Sequence, residues 1–180
     1  MKFTPLRLGG AYQIDPVRHE DERGYFVRTW CKREFGDVIG DIEFVQTSQS
    51  YNRVAGTLRG LHFQENPFGE TKLVRCIRGS IFDVIVDIRP KSPSFGQWLG
   101  IELSAENGRA LLIPEGFAHG FQTLRDDTDV AYHISTYHRP EAARGIRWND
   151  KAIGVVWPLP VTVISSRDRS WPDFRVNEAA

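Results

Sequence analysis

Period-two alternation of apolar and polar residues dominates this chain. In residues 80–89 (SIFDVIVDIR), Phe82, Val84, Val86 and Ile88 alternate with Ile81, Asp83, Ile85 and Asp87, the pattern of a half-buried strand. The same reading predicts strands over 44–51, 57–63, 72–78, 97–103, 109–113, 117–124 and 129–136. Gly56, Gly69, Gly79, Pro93, Gly108 and the run Pro114-Glu115-Gly116 punctuate them. Many short strands at regular spacing imply an all-β antiparallel sandwich or barrel, of which the jelly roll is one form. Such a barrel has a mouth that can enclose a small molecule. Helical periodicity is scarce. The best candidate is 30–39, where Trp30, Phe35, Val38 and Ile39 share one face and Gly36 weakens the pattern. The last thirty residues, with Trp157, Pro158, Pro160, Trp171 and Pro172, read as an irregular segment wrapping the barrel.

Composition narrows the function classes. The 180 residues contain no internal repeat or polar linker and read as one domain spanning 1–180. Lys+Arg and Asp+Glu both number 23, so no net positive charge favours nucleic acid or an anionic membrane. Cys31 and Cys76 cannot make a disulfide framework, which implies a reduced, cytoplasmic chain. The opening MKFTPLRLGGAYQIDP lacks the apolar core of a signal peptide. The longest uncharged run, 152–166, is interrupted by Pro158 and Pro160, short of the roughly 20 apolar residues of a spanning helix.

Candidate chemistry gathers in four places. On a strictly alternating strand in GTLRGLHFQ (56–64), Leu58, Gly60, His62 and Gln64 share one face, with Arg59 and Leu61 on the other. A lone strand His is more often a hydrogen-bonded structural residue. In GETKLVRCIR (69–78), Lys72, Val74 and Cys76 share a face, and the plain reading of Lys72 is a solvated strand end. IPEGFAHGF (113–121) is a tight turn that delivers His119 to the next strand. In 130–137, Tyr132 alternates in phase with Val130 and Ile134 and therefore points inward.

Taken with DERGYF (21–26), SPSFGQWLGIELSAEN (92–107), GIRWND (145–150) and ISSRD (164–168), these blocks resemble the dTDP-4-dehydrorhamnose 3,5-epimerase family nearly end to end. That resemblance implies a cupin-type double-stranded β-helix (jelly roll) with a few short peripheral helices. It also implies a homodimer formed through exchanged strands, and no metal or redox cofactor. Carried over, His62 is the general base, Asp168 its carboxylate partner, Tyr132 the acid on the opposite side of the sugar, and Lys72 faces the C4 ketone oxygen. Arg23, Arg59 and Arg167 resemble basic contacts to the diphosphate and sugar, His119 a sugar-pocket histidine and Tyr137 a pocket aromatic. Phe26, Gln46 and Ser48 fall where the family holds the nucleotide base. This chain has Arg28 where the family commonly carries an acidic residue and Ser48 where it carries Asn, which leaves thymine, cytosine and guanine open.

The implied substrate is a nucleotide-diphospho-4-keto-6-deoxyhexose, whose ketone acidifies C–H bonds at C3 and C5. Inversion there needs a base, an enolate stabiliser and a donor on the other face. Inversion at one centre only, a CDP- or GDP-linked sugar, and a 3,4-ketoisomerase are alternatives of the same class. A metal-dependent cupin is an alternative from another class. Its ligand pattern, HxH followed by Glu and PxGxxH, is met by PEGFAH (114–119), but HFQ (62–64) places Gln where the second His belongs. Lys72 would aim a cation at the remaining set of His62, His119 and Glu70, so the site reads as metal-free. A non-catalytic sugar-nucleotide binder would not need His62, Lys72, Tyr132 and Asp168 together.

Overall fold

The computed structural model describes residues 1–174 and is a sandwich of two β-sheets with two short helices. The elements are β1 (Lys2–Pro5), β2 (Tyr12–Asp15), β3 (Arg18–Asp21), β4 (Gly24–Val27), α1 (Lys32–Ile39), β5 (Gln46–Asn52), β6 (Thr57–Gln64) and β7 (Lys72–Arg78). They continue with β8 (Ser80–Asp87), β9 (Trp98–Ser104), β10 (Ala110–Ile113), β11 (Phe117–Thr123), β12 (Thr128–Ile134), β13 (Ala143–Gly145), β14 (Val163–Ile164) and α2 (Ser166–Arg169). One sheet has the order β1-β2-β10-β7-β12-β5. The other runs β13-β6-β11-β8-β9, with β14 added in parallel to β6; β3 and β4 form a separate hairpin. Neighbours far apart in sequence, such as β10 beside β2 and β7, give the Greek-key crossing of a jelly roll.

The inner faces of the two sheets close on a core of Val74, Cys76, Ile81, Ile85, Leu103, Leu111, Phe121 and Val130, all at most 1% exposed. Each large apolar side chain removed from water there contributes about 1.5–3 kcal/mol. Burial of Cys76 pushes its thiol up to about 11, so it behaves as an apolar residue. The helix α1 starts at Lys32, two residues later than the periodicity suggests, and covers the outer face of the first sheet with Phe35. Trp30 precedes the helix but still packs on Phe35, with ring centroids 4.2 Å apart. Val38 faces out, 37% exposed, and does not join that face.

Residues 80–87 do form a strand, but β8 is buried on both faces rather than half-buried. Its outer face, Val84 and Val86, is covered by Ile146 and Ile153, with Val155, Trp157 and Phe174 packed around them. The C-terminal segment thus wraps the barrel, and it also adds β14 and α2 to the edge of β6. Asp87, fully buried at the strand end, accepts hydrogen bonds from Arg89, Ser92 and Ser94, which satisfy its carboxylate inside the protein. The strands β1 and β2 escape the sequence pattern because Pro5 and Gly9-Gly10 interrupt their alternation.

One irregularity in β6 positions the site. Two steps along β11, from His119 to Phe121, pair with three along β6, from His62 to Arg59. The extra residue is a β-bulge, and it turns Arg59 and His62 to the same side of the sheet. Gly60 and Gly120 permit it. A Cβ on Gly60 would lie 2.5 Å from the Gly120 Cα, and one on Gly120 would lie 2.7 Å from the Arg59 carbonyl oxygen.

Candidate active site

The sandwich opens at one end into a cavity of about 670 Å³. One wall is the second sheet, with Arg59 and His62 on β6 and His119 on β11; the opposite wall is the first sheet, with Gln46 and Ser48 on β5, Lys72 on β7 and Tyr132 on β12. The C-terminal segment closes the side with Arg167, Asp168 and Trp171.

His62 Nε2 lies 2.6 Å from Asp168 Oδ1. Asp168 reaches it from α2, a single helical turn whose N-cap, Ser165, accepts the Asp168 backbone N–H at 3.0 Å. Burial disfavours the Asp168 carboxylate, but hydrogen bonds from His62, the Gly60 backbone N–H (3.3 Å) and the Trp171 indole (3.2 Å) outweigh it. The carboxyl is held below its ordinary range. A permanent carboxylate fixes the imidazole's orientation and stabilises its protonated form. The plain reading of Asp168 as a turn residue describes its backbone, while its side chain belongs to the dyad.

Tyr132 faces this dyad from the other sheet. Burial pushes its phenol well above the ordinary tyrosine range, with the 3.3 Å hydrogen bond to Ser50 acting the other way. The hydroxyl therefore keeps its proton at neutral pH. Lys72 is no solvated strand end: it is 8% exposed, and its Nζ pairs with Glu70 Oε1 at 2.8 Å. His119, 5% exposed, pairs through Nε2 with Asp83 Oδ1 at 2.7 Å, and its ring stands edge-on to Tyr132 at 6.3 Å. Among the described residues, no group of three or more His, Cys, Asp or Glu is arranged to hold a metal ion. His62, His119 and Glu70 are each engaged with a partner of their own.

Residues 5–176 match the family described as dTDP-4-dehydrorhamnose 3,5-epimerase. This chain belongs to that family. A dTDP-4-dehydrorhamnose 3,5-epimerase of Methanothermobacter thermautotrophicus is 47% identical over 180 residues, covering 98% of this chain and 96% of the relative. The crystal structure of the Bacillus anthracis enzyme with TDP and pyrophosphate bound has a TM-score of 0.93 and 42% identity, covering 96% of this chain and 99% of that one. The Legionella pneumophila enzyme in complex with dTDP-4-keto-L-rhamnose has a TM-score of 0.89 and 38% identity, covering 94% and 90%. The family's fold is the cupin-type jelly roll seen here, and its members are isomerases.

Of the residues singled out from sequence in this epimerase-family chain, His62, Lys72, Tyr132, Asp168, Gln46, Ser48, Arg59, His119 and Arg167 line one cavity. Arg59 also donates to Asn52 Oδ1 at 2.8 Å, and the Arg167 guanidinium lies 4.9 Å from the centre of the Trp171 ring. Tyr137 stands outside the lining, 63% exposed, while its neighbour His138 lines the cavity. Arg23 and Phe26 are elsewhere: they sit on the β3–β4 hairpin, Arg23 paired with Asp21 and Phe26 71% exposed. Arg28, beside them, pairs with Glu34. Sequence reasoning missed Asp83 and Trp171 as site residues. Asp83 carried a usable signal, a carboxylate in phase with Ile81 and Ile85 on an inward face.

Asp168 yields a prediction about stability. Because its folded-state carboxyl titrates below the unfolded value, its contribution is complete above about pH 4 and is lost as pH falls through the lowered value. Asp168→Asn should be about 1–3 kcal/mol less stable than wild type at pH 7 in urea unfolding. The difference should shrink as the pH falls below 4, and a difference independent of pH would contradict the assignment.

Proposed function

We propose that this chain is a dTDP-4-dehydrorhamnose 3,5-epimerase of deoxysugar biosynthesis, inverting C3 and C5 of dTDP-4-dehydro-6-deoxy-glucose to give dTDP-4-dehydro-rhamnose. The observation that carries the reading is the His62–Asp168 dyad on one wall of the cavity, facing a partly buried, protonated Tyr132 on the other. A base and an acid on opposite walls suit inversion at a carbon held between them. The relatives that carry this name support the thymidine nucleotide and the two centres over CDP- or GDP-linked, single-centre and ketoisomerase alternatives.

In this reading, His62 accepts the proton from C3 or C5, and Asp168 stabilises the imidazolium that forms. The electron pair of the broken C–H bond moves into an enolate whose negative charge develops on the C4 oxygen. Lys72, buried on β7 opposite Ile134 and lining the same cavity as Tyr132, supplies positive charge there. Tyr132 then delivers its proton to the opposite face of the carbon. The phenolate regains a proton from solvent, and the imidazolium releases the abstracted one. No redox partner enters this balance. Arg59 and Arg167 would contact the diphosphate, His119 the sugar, and Gln46 and Ser48 the base.

Arg23 and Phe26 support a homodimer. Both lie outside their own cavity, and the β3–β4 hairpin presents Phe26 to solvent. An exchanged hairpin would carry Arg23 and Phe26 to the mouth of the partner subunit's cavity, with Tyr137 at the rim. Among the described residues no helix is long and apolar enough to cross a membrane, and the free thiols of Cys31 and Cys76 support a cytoplasmic setting.

Two measurements test this reading. With dTDP-4-keto-6-deoxyglucose in D2O, proton NMR should show deuterium entering both C3 and C5, and His62→Ala should slow entry by roughly 10²–10⁴-fold. No exchange with the wild-type chain would overturn the functional reading, and exchange at one carbon would make it a single-centre enzyme. Analytical ultracentrifugation at micromolar concentration should give a dimer, and a monomer would contradict the exchanged hairpin.

A further inference from the structure

We propose that Trp171 is a positioning residue for the His62–Asp168 dyad, holding the shared carboxylate oxygen and the space beside the imidazole; its effect on turnover rests on the epimerase reading. The Trp171 indole N–H donates to Asp168 Oδ1 at 3.2 Å, and that same oxygen faces His62 Nε2 at 2.6 Å. The indole and the imidazole therefore share one acceptor atom. The two rings stand edge-on with centroids 6.3 Å apart.

The sequence makes room for this contact. Gly145 on β13 is the cross-strand partner of His62 on β6, so any side chain at 145 would stand next to the imidazole. A Cβ there would lie 2.4 Å from the Trp171 ring. The indole thus occupies the place of His62's cross-strand neighbour. Arg167 stacks on it at 4.9 Å, and the Pro172 carbonyl accepts the Arg147 backbone N–H at 3.2 Å, tethering the segment. Trp171 belongs to none of the three apolar clusters among the described residues, so core packing does not account for its placement.

The groups that share the cavity constrain the test. Its cations are Arg59, Lys72, Arg144 and Arg167, and its carboxylates are Asp168 and Glu70, the latter paired with Lys72. His119 is held by Asp83, and neither Tyr132 nor His138 is hydrogen-bonded to Asp168. Removing the indole N–H changes the donors on Asp168 Oδ1 and leaves these other groups in place. With one donor fewer, the Asp168 carboxylate is less stabilised. More of its charge then falls on His62, which favours the protonated dyad.

The experiment compares wild type with Trp171→Phe, which keeps an aromatic ring and deletes the N–H. The first readout needs no substrate: 13C NMR titration of the Asp168 carboxyl should show its midpoint at higher pH in the variant. The second is the pH profile of kcat/KM on the dTDP-4-keto sugar, where the acid limb should move to higher pH and plateau kcat should fall about tenfold. Gly145→Ala, which displaces the indole, should reproduce both shifts. If Trp171→Phe fails to fold, 3-benzothienylalanine at 171 keeps the indole shape without the N–H, and the same upward titration shift is expected. A folded variant whose carboxyl titration is unmoved overturns the proposal. Absence of wild-type turnover would count against the epimerase reading instead, while the titration still decides the role of Trp171.

Discussion

The backbones of β6 and β11 approach so closely at Gly60 and Gly120 that neither position has room for a Cβ. The bulge at this crossing lets Arg59 and His62, three residues apart, look into one cavity. It also presents the Gly60 N–H to Asp168, so the local backbone helps to bind the carboxylate that pairs with His62. A regular strand would send Arg59 to the face opposite His62. One wall of the site therefore depends on two glycines that contribute no side chain to it.

Burial is the second constraint. The cavity ends in low-polarity surroundings where a lone charge would be costly, and the protein answers with pairs: His62 with Asp168, His119 with Asp83, Lys72 with Glu70. The same burial that demands these pairs keeps the Tyr132 hydroxyl protonated. An acid and a base coexist at neutral pH because their surroundings differ: the Asp168 carboxylate sits among three donors, and the phenol sits against the apolar core with Ser50 as its partner. The two sheets of the sandwich hold them apart, so the fold itself sets the distance across which a proton donor and acceptor oppose one another.

Much of this was legible in the sequence where side-chain alternation was regular. The predicted strand at 72–78 matches β7 at both ends, and Tyr132 points inward as its phase requires. The bulge was not legible, because strict alternation separates Arg59 from His62; only the family resemblance placed them together. Asp83 and Asp87 looked like the polar half of a half-buried strand, yet both are fully buried: they lie in phase with Ile81 and Ile85 on the inner face, where His119 pairs with Asp83 and Arg89, Ser92 and Ser94 donate to Asp87, while the chain's last segment covers the opposite face at Val84 and Val86. Asp168 and Trp171 lie in that segment, where no periodicity announces a side chain's direction. Arg23 and Phe26 are the opposite case. Their motif is plain in the sequence, but a single chain leaves them on a hairpin away from its own cavity.

The central claim is that His62 and Tyr132 act from opposite walls and do separate jobs. Proton NMR of Tyr132→Phe with dTDP-4-keto-6-deoxyglucose in D2O tests it most directly, by following deuterium entry and configuration in the same sample. With the dyad intact and the opposing acid removed, deuterium should still enter next to the ketone with retention, while inversion is lost. Inversion persisting at the wild-type rate would contradict the account. So would the loss of exchange together with inversion, because it would mean that the base cannot work without the phenol.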